Sequence, residues 1–591
     1  MIKLSDYIFK FLEEKGVKQA FMLPGGGAMH LDDSLGKSNI AYTCFLHEQA
    51  AAIAAEAYGQ HANIPGLVLV TSGPGATNAI TGVTAGWIDS TPMIVISGQS
   101  KRADLVGNKR VRQIGSQEVQ IIPMITPITK YAVQILEPNE IKYHLEKAYM
   151  EATTGRPGPV WLDIPLDVQA VMIEEECLEG YSKEKAQQAD VSVSEAIDKT
   201  VELLRTAKKP LVLAGNGIKL AGATDKLYQL LDKLQLPVET TWKTIDMFDE
   251  NDNLYAGHPG IMGDRGANLI LQSADFILSI GCRLDTSVTA FNDINFGKSA
   301  KKVIVDIDEN EIARMNVDKE AIAVCDAEFF LESLMEKVNG QMDSLWSEVI
   351  REERRAWIAE CKLLRQKYPV ITEEHKKAEG YVSAYYFIGE LCNLLRTDDV
   401  IVPESSGGAG EITYQAFKLK KGQKMKNAAG LGSMGFGLPY AIGSCIANDG
   451  RRTILINGDG AFQLNIQELE TLHRLKLPVK MFIWNNNGYA SIRAMQRNNF
   501  EGRYVASEEG SGLTMPNVSD IAQAYGFKTY RINDNSELDK LLPEIMKDDV
   551  PVLCELMVLS EETVSPRVKA IVGENGKMTS GPLERMWPYI D

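Results

Sequence analysis

Two short polar clusters, Gly458-Asp459-Gly460 and Asn485-Asn486-Asn487-Gly488, leave little freedom in how the chain between them can fold. The first follows the apolar run 453–456 and the second follows 479–484, each reading as a buried parallel strand. Between them the sequence predicts a turn and then a helix opening near Asn465. A strand–helix–strand unit brings the C-terminal ends of its two parallel strands together. Asp459 and Asn486, 27 residues apart, are therefore expected side by side. One carboxylate, one side-chain amide and the carbonyl of Gly488 form an all-oxygen donor set, which suits Mg²⁺ bound to phosphate oxygens. The glycines allow backbone N–H groups close to the same phosphates. An EF-hand would need a carboxylate or amide at its first loop position and Glu at its last. With Gly460 as the loop glycine, those positions fall on Leu455 and Ile466.

The rest of the chain repeats the same α/β rhythm. A helix over 5–15, strands at 19–23 and 42–45, the alanine-rich helix HEQAAAIAAEAYGQ, and strands at 66–70 and 93–97 describe a doubly wound sheet, closed by GRPGPVWLDIP at 155–165. This first unit spans 1–170. An acidic, polar linker at 171–194 precedes a second unit over 195–340, with strands at 211–214, 276–280 and 302–307. A charged helical connector at 341–378 leads into a third unit, 379–560, which holds the paired clusters. A short tail, 561–591, rich in Gly and Pro, reads as a possible lid. Length alone asks for three or four cores in 591 residues. A net charge of −17 excludes a nucleic-acid surface, which needs a basic face. Eight scattered cysteines without a C-x-x-C pair, a charged amphipathic start and no bilayer-length apolar run predict a reduced, cytoplasmic setting without a membrane partner.

GDG followed by NN at this spacing resembles the diphosphate-binding motif of thiamine-diphosphate enzymes. LPGGGAMHL, HEQAAAIAAEAYG and TSGPGATN, in that order, resemble the N-terminal domain of the acetohydroxyacid synthase family. The resemblance implies three doubly wound α/β domains: pyrimidine-binding, central FAD-type and diphosphate-binding. It implies Asp459, Asn486 and Gly488 as Mg²⁺ ligands. Glu48 would bond the aminopyrimidine N1′ and so drive loss of the thiazolium C2 proton, a task for a carboxyl in a desolvated pocket. By composition alone, a lone Glu in an alanine-rich helix is usually just solvated.

Thiamine diphosphate would be held by Gly26, Pro74, Asn78, Ser406, Gly407, Gly432, Ser433, Met434, Asp459, Gly460, Ala461, Asn486, Gly488, Tyr489 and Ala490. Met434, in GLGSMGFG, would wedge between the two cofactor rings. That motif also matches G-x-G-x-x-G, but no apolar strand precedes it and no acid follows at the distance a dinucleotide site needs. Gln117 and His30 complete the catalytic set, although a lone His is more often structural. In the central unit AGNGI, GCRLDTSVTA, VDIDENEI and Asp326 align with the family's flavin domain. They give FAD contacts at Gly215, Asn216, Gly217, Arg283, Asp285, Val288, Asp306, Ile307 and Asp326; Ser287 stands where a second Arg is common, and a vestigial domain binding nothing is the alternative.

The same resemblance implies decarboxylation of a 2-oxo acid and transfer of its acyl unit to a ketone, in a homodimer at least, in which each site draws on two chains. Synthases of branched-chain amino acids carry an aromatic pair in the acceptor pocket where this chain has Ser116 and Arg497. GYASIR and the tail KMTSGPLERMWP are similar to the flavin-containing carboligases of branched-sugar (yersiniose) biosynthesis. The expected acceptor is therefore a nucleotide-linked 4-keto sugar, with acetolactate synthesis, and then C–C hydrolysis or oxidation, as alternatives.

Overall fold

A computed structural model of the chain describes residues 1–182, 191–341, 347–572 and 578–590. Parts of the linker, connector and tail, including Lys577 of KMTSGPLERMWP, lie outside the described residues. Three all-parallel sheets dominate. The first orders its strands Ala41–Cys44, Gln19–Met22, Gly66–Val70, Met93–Gln99, Pro159–Pro165, Tyr131–Gln134. GRPGPVWLDIP thus supplies an interior strand between Met93–Gln99 and Tyr131–Gln134, rather than only ending the unit. The second sheet has five strands around Phe276–Ile280. The third has six and places Thr453–Gly458 beside Val479–Asn485.

Both faces of each sheet are covered, which is why the strands read as continuous apolar runs rather than alternating ones. In the first sheet Val68 and Val70 face one core while Leu67 and Leu69 face another. In the third, Leu455 and Ile483 enter the same core as Val68 and Val70, whereas Ile454 and Phe482 face away. The helix Glu48–Ala62 joins the two sheets. Ala50, Ala51, Ala52, Ala54, Ala55 and Ala57 are fully buried along it. Their smallness permits close approach: a Cβ on Gly443 would sit 2.2 Å from the Ala54 carbonyl oxygen, and one on Gly66 2.0 Å from that of Ala55. The alanines are there for interhelical packing as much as for helix propensity.

The tail starts on the third unit, where Glu562 accepts from Ser383 Oγ at 2.8 Å, and ends against the central unit. Arg265 donates to the carbonyls of Met586 (3.1 Å) and Pro588 (2.6 Å), and Asn268 to that of Leu583 at 3.1 Å. Among the described residues no helix is long and apolar enough to cross a membrane.

Candidate active site

Glu48 is the first residue of its helix. His47 caps that helix, its Nδ1 accepting from the Gln49 N–H at 3.1 Å. The Glu48 side chain is 8% exposed and its Oε2 accepts from Asn78 Nδ2 at 3.0 Å. Asn78 comes from the helix Pro74–Asp89, one turn after Gly75, where a Cβ would collide with Thr71 at 2.7 Å and reach 3.5 Å from Glu48 Oε1. Gly73 sits at φ +60°, and a Cβ there would lie 2.3 Å from the Gln117 carbonyl oxygen. Gln117, itself at φ +60°, is thus pressed onto the turn that leads to Pro74. Gln117 and its neighbour Ser116 are exposed. Glu118 pins their loop, accepting from the N–H groups of Val106 (2.5 Å) and Ile114 (3.0 Å). Gly26 opens onto free space, and His30 is half-buried on the helix Met29–Lys37 that follows.

The chain leading into Glu48 is fastened from the third unit, which sequence reading missed. Glu468, fully buried, accepts from the Leu46 N–H at 3.1 Å, and Arg474 donates to the Cys44 carbonyl at 2.6 Å. Asp32 was missed as well: one oxygen accepts from Gly25 N–H at 3.3 Å, the other has no partner, and burial pushes the carboxyl up to about 6.

Gly458 pairs in register with Trp484 across two parallel strands, so Asp459 and Asn486 leave the sheet at one edge. Helical structure begins at Asp459 itself, in a turn Asp459–Phe462. A 3-10 turn and then the helix Glu468–Leu475 follow, so the opening expected near Asn465 comes six residues early. The reason is local: Asp459 Oδ1 accepts from Gly460 N–H at 2.9 Å and Oδ2 from Gly488 N–H at 3.0 Å, closing the turn at once. Asp459 is fully buried, and desolvation raises its carboxyl to about 6 against those donors. A Cβ on Gly460 would meet the Tyr489 ring at 2.5 Å, and Gly488 takes φ +132°.

Asn486 Oδ1 is buried without a hydrogen-bond partner. A buried acceptor left unpaired beside a buried carboxylate fits a cation, which would satisfy one and restore charge balance for the other. Among the described residues no group of three or more His, Cys, Asp or Glu gathers as a metal centre, so this mixed set is the natural candidate. Arg493, a further residue the sequence did not flag, is buried. It holds the loop by donating to the carbonyls of Asn486 (2.7 Å), Asn487 (3.3 Å) and Ser507 (3.1 Å). Ser406 precedes the helix Gly407–Ala416, and a Cβ on Gly407 would lie 3.4 Å from Ser491 Oγ, beside the helix that Ala490 opens. In the 430–437 loop Gly432 takes φ +64°, Ser433 Oγ donates to the Met434 carbonyl at 3.1 Å, and Met434 is 39% exposed. Beneath that loop the buried Glu404 accepts from the Gly437 N–H at 3.0 Å. Arg497, in contrast, pairs with Glu561 at 3.0 Å on an exposed helix face.

A cavity of about 310 Å³ lies at the C-terminal ends of the central unit's strands, closed by Ile88 and Arg156 of the first unit and Gly430 of the third. Asn216, Gly217, Arg283, Asp285, Val288, Asp306, Ile307 and Asp326 line it, while Gly215 stands just outside. Gly215 and Gly217 cross Gly281 so closely that a Cβ would fall 2.1 and 2.7 Å from its atoms. Asp306 ends one strand, and burial raises its carboxyl; Asp326 caps the next helix, accepting from Glu328 N–H at 2.8 Å. Asn216 Oδ1 is buried without a hydrogen-bond partner, and Arg283 Nε has only a 3.6 Å ion pair with Glu311. A tight glycine turn, acids at strand ends and unspent polar atoms fit a dinucleotide. Arg156 links this wall to the first unit, bonding Ser90, Asp308 and Glu311, each at 2.9 Å.

Comparison with known proteins gives three collinear matches. Residues 2–122 match the family model "Thiamine pyrophosphate enzyme, N-terminal TPP binding domain", 197–334 the central domain, and 406–556 the C-terminal TPP binding domain. The chain is similar to a probable acetolactate synthase large subunit of Methanococcus aeolicus, 31% identical, over 94% of this chain and 92% of the relative. It is 30% identical to the acetolactate synthase large subunit of Lactococcus lactis (96% and 94%) and to the isozyme 1 large subunit of Escherichia coli K12 (95% of each).

Proposed function

The chain belongs to the thiamine pyrophosphate enzymes of the acetohydroxyacid synthase superfamily, and we propose that it is a carboligase that decarboxylates pyruvate and joins the two-carbon acyl unit to a second 2-oxo acid. The observation that carries this reading is collinearity with acetolactate synthase large subunits over nearly the whole chain. The bound cofactor would supply carbanion stabilisation. Glu48, oriented by Asn78, would exchange a proton with the aminopyrimidine. Asp459, Asn486 and Gly488 would hold Mg²⁺, and Met434 would present its exposed apolar end to the cofactor rings. His30 and Gln117 would face the reacting carbonyls. Exposed apolar side chains near both half-sites (Met29, Tyr42 and Leu46; Leu464, Ile492 and Met495) support a homodimer in which each chain completes the other's site.

A nucleotide-linked 4-keto sugar is the second reading. Ser116 favours it by leaving that side open, whereas Arg497 already has a carboxylate partner in Glu561. Supplied with pyruvate, 2-oxobutyrate and a CDP-4-keto-deoxysugar together, the enzyme is expected to release acetohydroxy acids, read by mass spectrometry. Exclusive transfer to the sugar would make this a branched-sugar enzyme instead, and stoichiometric oxygen uptake would make it an oxidase.

The central cavity would hold FAD, and the expected preparation is yellow, with one flavin per chain released on denaturation. Asp306→Ala should lower flavin occupancy, since it removes a buried acceptor from the wall. A colourless protein that gains no visible absorbance with added FAD would exclude the flavin.

A further inference from the structure

A separate cavity, of about 420 Å³, opens where all three units meet, and its charge is unbalanced. Its wall takes His61 from the alanine-rich helix, Lys219 and Asp246 from the central unit, and Lys421, Lys424 and Lys426 from the third. Lys219 pairs with Asp246, and Lys424 donates to Asn448 Oδ1 at 2.7 Å. Asp89, the other acid of the wall, is matched by Lys243 at 2.6 Å. Lys421 is exposed to water, which leaves Lys426: it is 6% exposed, and the neighbouring acids Asp246 and Asp89 are paired with Lys219 and Lys243 instead. The charge it feels most is another cation, Lys219, only partly offset by Asp246, and burial together with that repulsion pulls its pKa well below the ordinary lysine value. Both ring nitrogens of His61 are buried and unpartnered.

Burying an imidazole without partners, and a lysine beside another cation, is costly, and proteins keep such groups where a ligand satisfies them. The missing partner must be an anion that accepts several hydrogen bonds at once. The cavity far exceeds one oxyanion, and Leu220, Tyr228 and Met247 give it an apolar side. We propose that this cavity binds a phosphate monoester, its phosphoryl oxygens accepting from Lys426, Lys219 and His61 and its organic part lying on Leu220, Tyr228 and Met247. The site is separate from the thiamine-diphosphate half-sites and does not depend on the reaction assigned above. It shares Asp89, Asn216 and Leu220 with the central cavity, so an occupant would adjoin whatever that cavity holds.

The test is calorimetry on the full-length protein with glucose 6-phosphate, AMP and inorganic phosphate as probes, on wild type, Lys426→Met and His61→Gln. At least one ester should bind saturably and more tightly than inorganic phosphate. Lys426→Met should weaken it roughly tenfold or more, the loss expected for a hydrogen bond to a charged group, and His61→Gln by less. Without ligand, Lys426→Met should melt higher than wild type, because a buried lysine beside another cation has gone. A variant that folds and binds ester with wild-type affinity, absence of saturable binding by either ester, or equal affinity for inorganic phosphate would each overturn the assignment.

Discussion

Glu48→Gln is expected to slow proton–deuterium exchange at C2 of bound thiamine diphosphate by roughly 10²–10⁴-fold, the usual contribution of a positioned acid–base group. The substitution keeps the side chain's length and lets Asn78, now opposite an amide, retain its 3.0 Å contact. What it removes is the proton that a carboxyl can share with a ring nitrogen. Cofactor affinity should change little, since the diphosphate is held from the other half-site. NMR-monitored exchange after acid quench separates the two effects. Unchanged exchange would remove Glu48 from the mechanism, whereas loss of cofactor binding with normal exchange in the residual holoenzyme would make it a binding residue.

The second large effect is at Asp459. Asp459→Ala should abolish Mg²⁺-dependent binding of thiamine diphosphate, with no saturation at cofactor concentrations a hundredfold above those that fill the wild type. The carboxylate does two things that alanine cannot. It fixes the Asn487–Gly488 loop through the Gly488 N–H, and it presents charge beside the unpartnered Asn486 oxygen. Asn486→Ala separates these roles, because it removes only the second oxygen and leaves the loop contact in place. It should weaken the metal without disturbing the Gly488 turn, as amide exchange at Gly488 would report. Cofactor binding by Asp459→Ala that persists in a chelator would show that another group holds the diphosphate.

Much of the fold can be read from the residues because parallel strands buried on both faces announce themselves as apolar runs. The strand–helix–strand unit around Asp459 needed only its two runs and the polar clusters after them. The strand Gln19–Met22 and the helix before it followed similarly. Sequence failed where meaning lay in burial. Glu468, Arg493 and Lys426 look like ordinary surface charges, and no periodicity marks them as buried. Glu468 sits in an amphipathic helix whose polar face meets the 44–48 segment rather than water, a fact that depends on how two distant units dock. The early helix start at Asp459 was hidden for another reason. Glycine on both sides suggests a loop, and only the two backbone donors to its carboxylate reveal a closed turn.

The alanine-rich helix also bears on how the chain is made. One of its faces is covered by Gly437–Ala447, which emerges from the ribosome some 375 residues after Ala62. At about 5–20 residues per second, that is a wait of roughly 20–75 s with the face bare. A leucine surface left open so long would invite other nascent chains. Alanine exposes little apolar area per residue, so the uncovered helix is a weak target for aggregation, and its tight fit to Gly443 becomes available only when the correct partner arrives.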